Sequence, residues 1–237
     1  MAERLARQAD WLSVREALDR ILAAAAPVGA ERVPIADAAG RTLAEDIRSP
    51  LDHPPWDNSA MDGYAVRAAD VRGASRSAPV VLEVIDSVRA GTFPKRSVGP
   101  GQAIRIMTGA PVPEGADSVV RVEDTEARPG TPERIAIFDD RDAGHNIRRR
   151  AEDLRAGALV LEAGRVLRPG EIGVLAAVGR PEVAVTRRPR IGILSTGDEL
   201  AGPEAFEHVR AGRRIADSNS YALAAAVATA GGVPVRL

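Results

Sequence analysis

Between residues 50 and 157 proline and glycine recur so closely that neither a long helix nor a long strand fits. Pro50, Pro54, Pro55, Gly91, Pro94, Gly99, Pro100, Gly101, Gly109, Pro111, Pro113 and Gly115 break the chain into short pieces. The pieces left between them are rich in β-branched residues, as in Val80–Ile85, Asp117–Val122 and Arg134–Ile137. Short apolar runs separated by turns predict a β-rich lobe over residues 49–157, for which a small barrel is one closure. Aromatic residues make up only 3% of the chain against 45% hydrophobic residues, so its cores are built from Ala, Val, Leu and Ile.

The flanks have a different rhythm. Ser13 followed by Glu16 is a capping-box pattern. Val14, Ala17, Leu18, Ile21, Leu22 and Ala25 then recur at helical spacing up to Pro27, predicting an N-terminal helix within residues 10–29. Residues 31–49 read as a short extended piece, a turn and an apolar stretch around Ala38–Ile47. Residues 158–188 read as strand, helix, strand: Ala158–Leu161, Glu171–Val178 and Glu182–Val185. From Arg190 a buried strand (Arg190–Leu194), a loop (Ser195–Leu200), a helix (Asn219–Ala230) and a strand (Val233–Leu237) open a βαβ unit. Residues 200–215 read as a looser, charge-rich loop.

The expected fold class is therefore α+β and multidomain. The N-terminal helix covers 10–29. Residues 30–48 and 158–188 are two further segments on either side of the β-rich region. The β-rich lobe covers 49–157, and a parallel α/β module starts at 189 and is incomplete at 237, as expected of a fragment.

A formal charge of −1 supplies no global field for nucleic acid or an anionic membrane, and few aromatics argue against single-strand stacking. The absence of cysteine excludes thiol nucleophiles and Cys-ligated metal in this chain. Arg4, Arg7 and Asp10 interrupt any signal-peptide core, and no apolar run reaches bilayer length, so a cytoplasmic protein is expected. His53, His145 and His208 are scattered, without zinc-ligand spacing.

Three segments concentrate chemistry. Asp57-Asn58-Ser59-Ala60-Met61-Asp62-Gly63 crowds carboxylates, an amide and a hydroxyl into one loop, suited to a hard cation or a phosphate-bearing ligand, and equally to local turns. In Arg105–Asp117, Thr108 beside Gly109 lets a hydroxyl and backbone amides approach an anion; a proline-stiffened hairpin loop is the plainer alternative. Ser195-Thr196-Gly197-Asp198-Glu199-Leu200 follows a strand, where α/β sheets bind ligands. Its hydroxyls and N–H groups suit phosphate, and Asp198 and Glu199 suit magnesium, while Ser195/Asp198 and Thr196/Glu199 also fit helix capping. A fourth run, Gly144–Asp153, offers Arg148, Arg149 and Arg150 for oxyanions, or simply a solvated charged face.

Taken together, the sequence resembles the molybdopterin molybdenumtransferase family, MoeA in bacteria and the E domain of gephyrin in animals. The matching pieces are Ser49–Asp52, Asp57–Val66, Arg105–Gly115, Asn146–Asp153 and Leu194–Leu200, in the family's order. The resemblance implies an elongated homodimer that inserts molybdate into adenylylated molybdopterin, uses Mg2+ and releases AMP. It also implies that Asp62, Thr108, Asp153 and Glu199 matter for catalysis, with Glu199 and Asp198 toward the metal. Asp57, Asn58, Ser59, Gly109, Arg148, Ser195, Thr196, Gly197 and Asp198 would bind the molybdopterin substrate. Molybdopterin adenylyltransferase and molybdoenzyme acceptors are the implied protein partners. The resemblance also implies that 30–48 and 158–188 together form a small α/β connecting module, and that the N-terminal helix packs with the module that starts near 189.

Two other readings compete. A dimeric scaffold of the same architecture would bind without chemistry. The damage-inducible amidohydrolases share only the molybdopterin-binding α/β module, and the Asp57–Val66 string argues against them.

Overall fold

The structure is a computed structural model that describes residues 11–237 except residues 27, 129 and 130. Arg4, Arg7, Asp10 and Pro27, read above from sequence, lie outside the described residues. The described chain divides into two compact units, Arg48–Val160 and the combination of residues up to Ile47 with Leu161–Leu237. The fold is α+β.

The Arg48–Val160 unit is built on a six-stranded sheet. In chain order it contains β3 (Asn58–Ser59), β4 (Gly63–Val66), the short helix α2 (Ala68–Val71), β5 (Val80–Val88), β6 (Gln102–Ile106), β7 (Ser118–Arg121), β8 (Thr125–Arg128), β9 (Thr131–Ile137) and β10 (Ile147–Arg148). The large sheet runs β7-β4-β6-β5-β9-β8. Only β5 and β6 pair in parallel, Val88 opposite Ile106. β4 lies between β6 and β7, so Arg105–Asp117 is not a hairpin loop: its flanking strands pair with β4, not with each other.

The two-residue period of β4 explains why it is buried on both faces. Tyr64 and Val66 enter a cluster with Val71, Leu82, Val120, Ile135 and Ile137, whereas Ala65 faces Val88, Ile104, Ile106 and Val119. Gly63 is required here, because a Cβ on it would lie 2.0 Å from the Val120 carbonyl oxygen. β7 and β8 are the two sheet edges, yet only Val122–Asp124 connect them. Such a link reaches about 14 Å at most, so the sheet must curl its edges toward each other. The ladder nonetheless stays open rather than closing as a hydrogen-bonded barrel.

The other unit contains α1 (Val14–Ala24), β1 (Ala30–Pro34), α3 (Pro169–Ala177), β12 (Glu182–Thr186), β13 (Arg190–Ile193), β14 (Leu200–Ala201), α4 (Phe206–Arg210), β15 (Ile215–Ala216), α5 (Ser218–Thr229) and β16 (Val233–Arg236). The two-residue β2 (Ile47–Arg48) and β11 (Leu159–Leu161) lie at the unit boundaries. The Ser13–Glu16 capping box forms as the pattern predicts, Ser13 Oγ accepting the Glu16 N–H and Glu16 accepting the Ser13 N–H. No residue of α1 is buried, however, and Val14, Ile21 and Leu22 stay exposed. Among the described residues nothing covers this apolar face.

β1 and β12 pair antiparallel, with the buried Arg41 guanidinium bonded to Glu31 and to the Thr186 carbonyl. β13 and β16 pair in parallel across α5, Arg190 opposite Val233, completing the βαβ unit. Residues 200–215 are more ordered than a loose loop: β14 pairs in parallel with β15, with α4 between them. Among the described residues no helix is long and apolar enough to cross a membrane.

Candidate functional site

In the Arg48–Val160 unit the Asp57–Ser59 strand is held from two sides. On one side β3 pairs with β10, Arg148 opposite Asn58. On the other, the Gly109 N–H donates to the Ser59 carbonyl, the Ser59 N–H to Ala110, and the Val112 N–H to Asp57. Gly109 has φ +81, a left-handed conformation that glycine adopts without strain. Ser59 is fully buried, and its hydroxyl donates to the Met61 carbonyl. Asn58 is 8% exposed, and its Oδ1 is buried without a hydrogen-bond partner. It is an acceptor whose capacity is unmet in a cluster otherwise well satisfied.

Asp62 and Thr108, 46 residues apart in sequence, meet at one end of the sheet. The Thr108 N–H donates to Asp62 Oδ1 at 2.7 Å and the Thr108 hydroxyl to the same oxygen at 2.8 Å. These two bonds, the backbone one first, hold the Asp62 carboxyl below the usual aspartate range. Asp62 is thus an exposed, permanently ionised group at neutral pH, aimed by the loop that follows β6.

The arginine run is not a uniformly solvated face. Arg149 donates to Asp57 Oδ2 at 2.7 Å, and the Arg150 N–H donates to Asp57 Oδ1. Arg150 Nε binds Asp52 at 2.6 Å. The Asp57 carboxyl is lowered chiefly by the Arg150 backbone N–H, and that of Asp52 chiefly by the Ala156 N–H. Arg149 and Arg150 are therefore spent on structure, whereas the exposed Arg148 guanidinium has no hydrogen bond or ion pair among the described residues. Asp153 is exposed, and its N–H is tied to the His53 carbonyl.

The Ser195–Glu199 loop belongs to the other unit. No helix follows it, so neither Ser195 nor Thr196 is a helix cap. Ser195 instead donates to Asp217 Oδ1 at 3.3 Å. Asp217 caps α5 through the Ser220 N–H and also accepts the Ser220 hydroxyl, which is the main reason its carboxyl is lowered. Thr196, Asp198 and Glu199 are exposed. Gly197 sits at φ +147, and a Cβ on it would lie 2.5 Å from Glu199 Oε1, so the Glu199 carboxylate folds over its backbone.

Residues 12–179 match the model for the MoeA N-terminal region (domain I and II). The chain belongs to the MoeA family. It is 44% identical over 203 residues to molybdopterin molybdenumtransferase 2 of Mycobacterium tuberculosis, covering 86% of this chain and 49% of that protein. To the molybdopterin molybdenumtransferase of Nostoc it is 45% identical over 198 residues, covering 84% and 44%. A crystal structure of the molybdopterin biosynthesis MoeA protein of Pyrococcus horikoshii superposes with TM-score 0.85 and 38% identity, over 94% of this chain and 58% of that one. The chain thus spans about half the length of the curated relatives it matches.

Within this MoeA-family chain the donor set at Asp198 and Glu199 is of a kind magnesium accepts, since Mg2+ commonly takes one or two carboxylates and keeps several waters. Among the described residues no group of three or more His, Asp or Glu side chains could hold a metal by itself. Sequence reasoning missed Asp52 and Asp217. Asp217 had a usable signal, since it stands immediately before the helical Ser218–Thr229 stretch as an N-cap.

Proposed function

We propose that the chain forms part of a molybdopterin molybdenumtransferase that acts in molybdenum cofactor biosynthesis in the cytoplasm as a homodimer. The reaction inserts molybdate into adenylylated molybdopterin and releases AMP. The observation that carries this reading is the Asp62–Thr108 pair, displayed at one end of the sheet beside the Asp57–Ser59 strand, within the part of the chain that the family match covers.

Asp62 would orient a hydroxyl or water near the scissile phosphate, with Thr108 fixing the carboxylate. Arg148, exposed and unengaged, would take an oxyanion, molybdate or phosphate. Asn58 Oδ1 would accept from an amino or ring N–H of the substrate. Ser195, Thr196 and Gly197 would cradle phosphate through hydroxyl and N–H groups, and Glu199 with Asp198 would hold Mg2+. When bound, Mg2+ would neutralise charge on phosphate oxygens. Asp153 keeps the catalytic role that the resemblance gives it. Molybdopterin adenylyltransferase as donor and molybdoenzymes as acceptors are the proposed partners.

The test is AMP release from adenylylated molybdopterin with molybdate and magnesium. Release that Asp62→Asn abolishes supports the transferase. A chain that dimerises and binds the substrate but releases no AMP is the scaffold instead.

A further inference from the structure

The aromatic residues of this chain number only seven, two Trp, two Tyr and three Phe, and two of them meet on the surface beside the site. Trp56, immediately before Asp57, and Phe93 lie with ring centroids 4.9 Å apart and planes at 66°. Trp56 is 37% exposed and Phe93 63% exposed. Trp11 and Phe206 are exposed too, but among the described residues Trp56 and Phe93 are the pair whose rings pack against each other. In an edge-to-face pair, the ring that presents its edge keeps both of its own faces clear of its partner.

Backbone bonds place this pair at the same end of the sheet as the Asp62–Thr108 pair. The Met107 N–H, one residue before Thr108, donates to the Val88 carbonyl at 3.2 Å. Val88 ends β5 and leads into the turn that carries Phe93. That turn is fixed by Thr92, whose hydroxyl donates to the Arg89 carbonyl and accepts the Arg89 N–H. Phe93 also lines a surface cleft of about 280 Å³ together with Asp86, Ser87, Arg89, Thr92 and Lys95. An aromatic wall beside two cations and one carboxylate leaves a net positive charge, complementary to a planar heterocycle that carries an anionic group.

We propose that Trp56 and Phe93 form a stacking platform for the fused heteroaromatic ring of the substrate, with Arg89 and Lys95 drawing its phosphate to the adjoining cleft. This rests on the transferase reading, whose substrate offers two such rings, a pterin and an adenine. Both share the flat, nitrogen-rich π-surface that an indole and a phenyl ring bind, and the experiment separates them.

Trp11→Phe leaves Trp56 as the sole tryptophan, so its fluorescence reports the platform. In that background the whole chain is titrated separately with a soluble pterin and with AMP, and affinity is measured by calorimetry. Saturable quenching by the pterin assigns the platform to the pterin, and quenching by AMP alone assigns it to the adenine. Either ligand should lose at least about fivefold in affinity in both Trp56→Leu and Phe93→Ala, the lower bound for removing one stack. Phe93 is a surface residue, so Phe93→Ala should retain the wild-type unfolding midpoint. Quenching by neither ligand, or affinities unchanged in both variants, overturns the platform. AMP release distinguishes this failure from that of the transferase reading. Full release with no ring binding at Trp56 sinks the platform alone, and ring binding with no release sinks the transferase alone.

Discussion

One oxygen of Asp62, Oδ1, accepts both the backbone N–H and the hydroxyl of Thr108, and among the described residues nothing donates to Oδ2. The carboxylate is therefore fixed in orientation while half of its acceptor capacity faces outward. The relationship separates charge from geometry. Asp62→Asn keeps an acceptor for Thr108 but removes the charge, and should lower AMP release by about a hundredfold or more if the charge is what acts. Thr108→Val keeps the N–H bond and loses the hydroxyl, and should cost less. Steady-state rates of the two variants decide the order.

The pH dependence has a definite sign. Because the Asp62 carboxyl is lowered in the folded chain, its contribution to stability is present above the unfolded-state value of about 3.9 and disappears as pH falls through the lower folded value. Asp62→Asn should therefore be less stable than wild type near neutrality, and the difference should fade as pH drops below about 4. A difference confined to acid and absent at pH 7 would reverse the assignment.

Asp142 offers a contrasting case. Its side chain is 3% exposed and meets Arg121 through both carboxylate oxygens at 2.8 and 2.9 Å. Burial alone would raise its carboxyl, but the Arg121 bonds outweigh it and the group is lowered. Arg121→Leu leaves this carboxylate buried and unpaired. It should cost about 3 kcal/mol, the low end for a broken buried pair because Arg121 is a third exposed. Urea denaturation at pH 7 measures it, and a change under about 1 kcal/mol would show that water reaches Asp142.

Gly63→Ala should be among the most damaging single-methyl changes in the chain. The added Cβ falls 2.0 Å from the Val120 carbonyl, and backbone cannot rotate away as a side chain can. Forcing β4 and β7 apart should cost at least about 2–3 kcal/mol. A variant with an unchanged unfolding midpoint would mean the strand register differs from Gly63 opposite Arg121.

Strand by strand, the β-branched runs at Val80, Asp117 and Arg134 were readable because β-branched enrichment between turn residues is a local property of the chain. So was the α1 cap, since Ser13 and Glu16 are three residues apart. What sequence could not supply was pairing at a distance: the Asp62–Thr108 contact spans 46 residues, and Arg150 reaches Asp52 across 98. The arginine run looked solvated because its carboxylate partners lie far back in the chain. Residues 200–215 read as a loop because α4 is only five residues long, too short to show a helical period. The apparent capping boxes at Ser195 and Thr196 misled for a related reason, since a cap pattern carries meaning only where a helix follows.

β13 gives a test of local stability. Among the described residues it pairs only with β16, and three of its four residues are exposed, whereas all four residues of β4 are buried between two partners. Backbone amides of Arg190–Ile193 should exchange with solvent faster than those of Gly63–Val66. Equal protection in the isolated chain would show that a second copy or another segment covers β13.

The strand order of the curled sheet also determines how it can be assembled in time. β8 and β9 are sequence neighbours and can pair within microseconds, but β4 must wait for β6 and then for β7, more than fifty residues downstream. Until β7 arrives, the Val120 carbonyl that packs over Gly63 is missing, and Asp62 begins a strand with an unpaired edge. The step that completes the sheet is thus the one that sets the Asp62 end in place, so this unit should gain its binding surface last, at the slow rate typical of non-local β topologies.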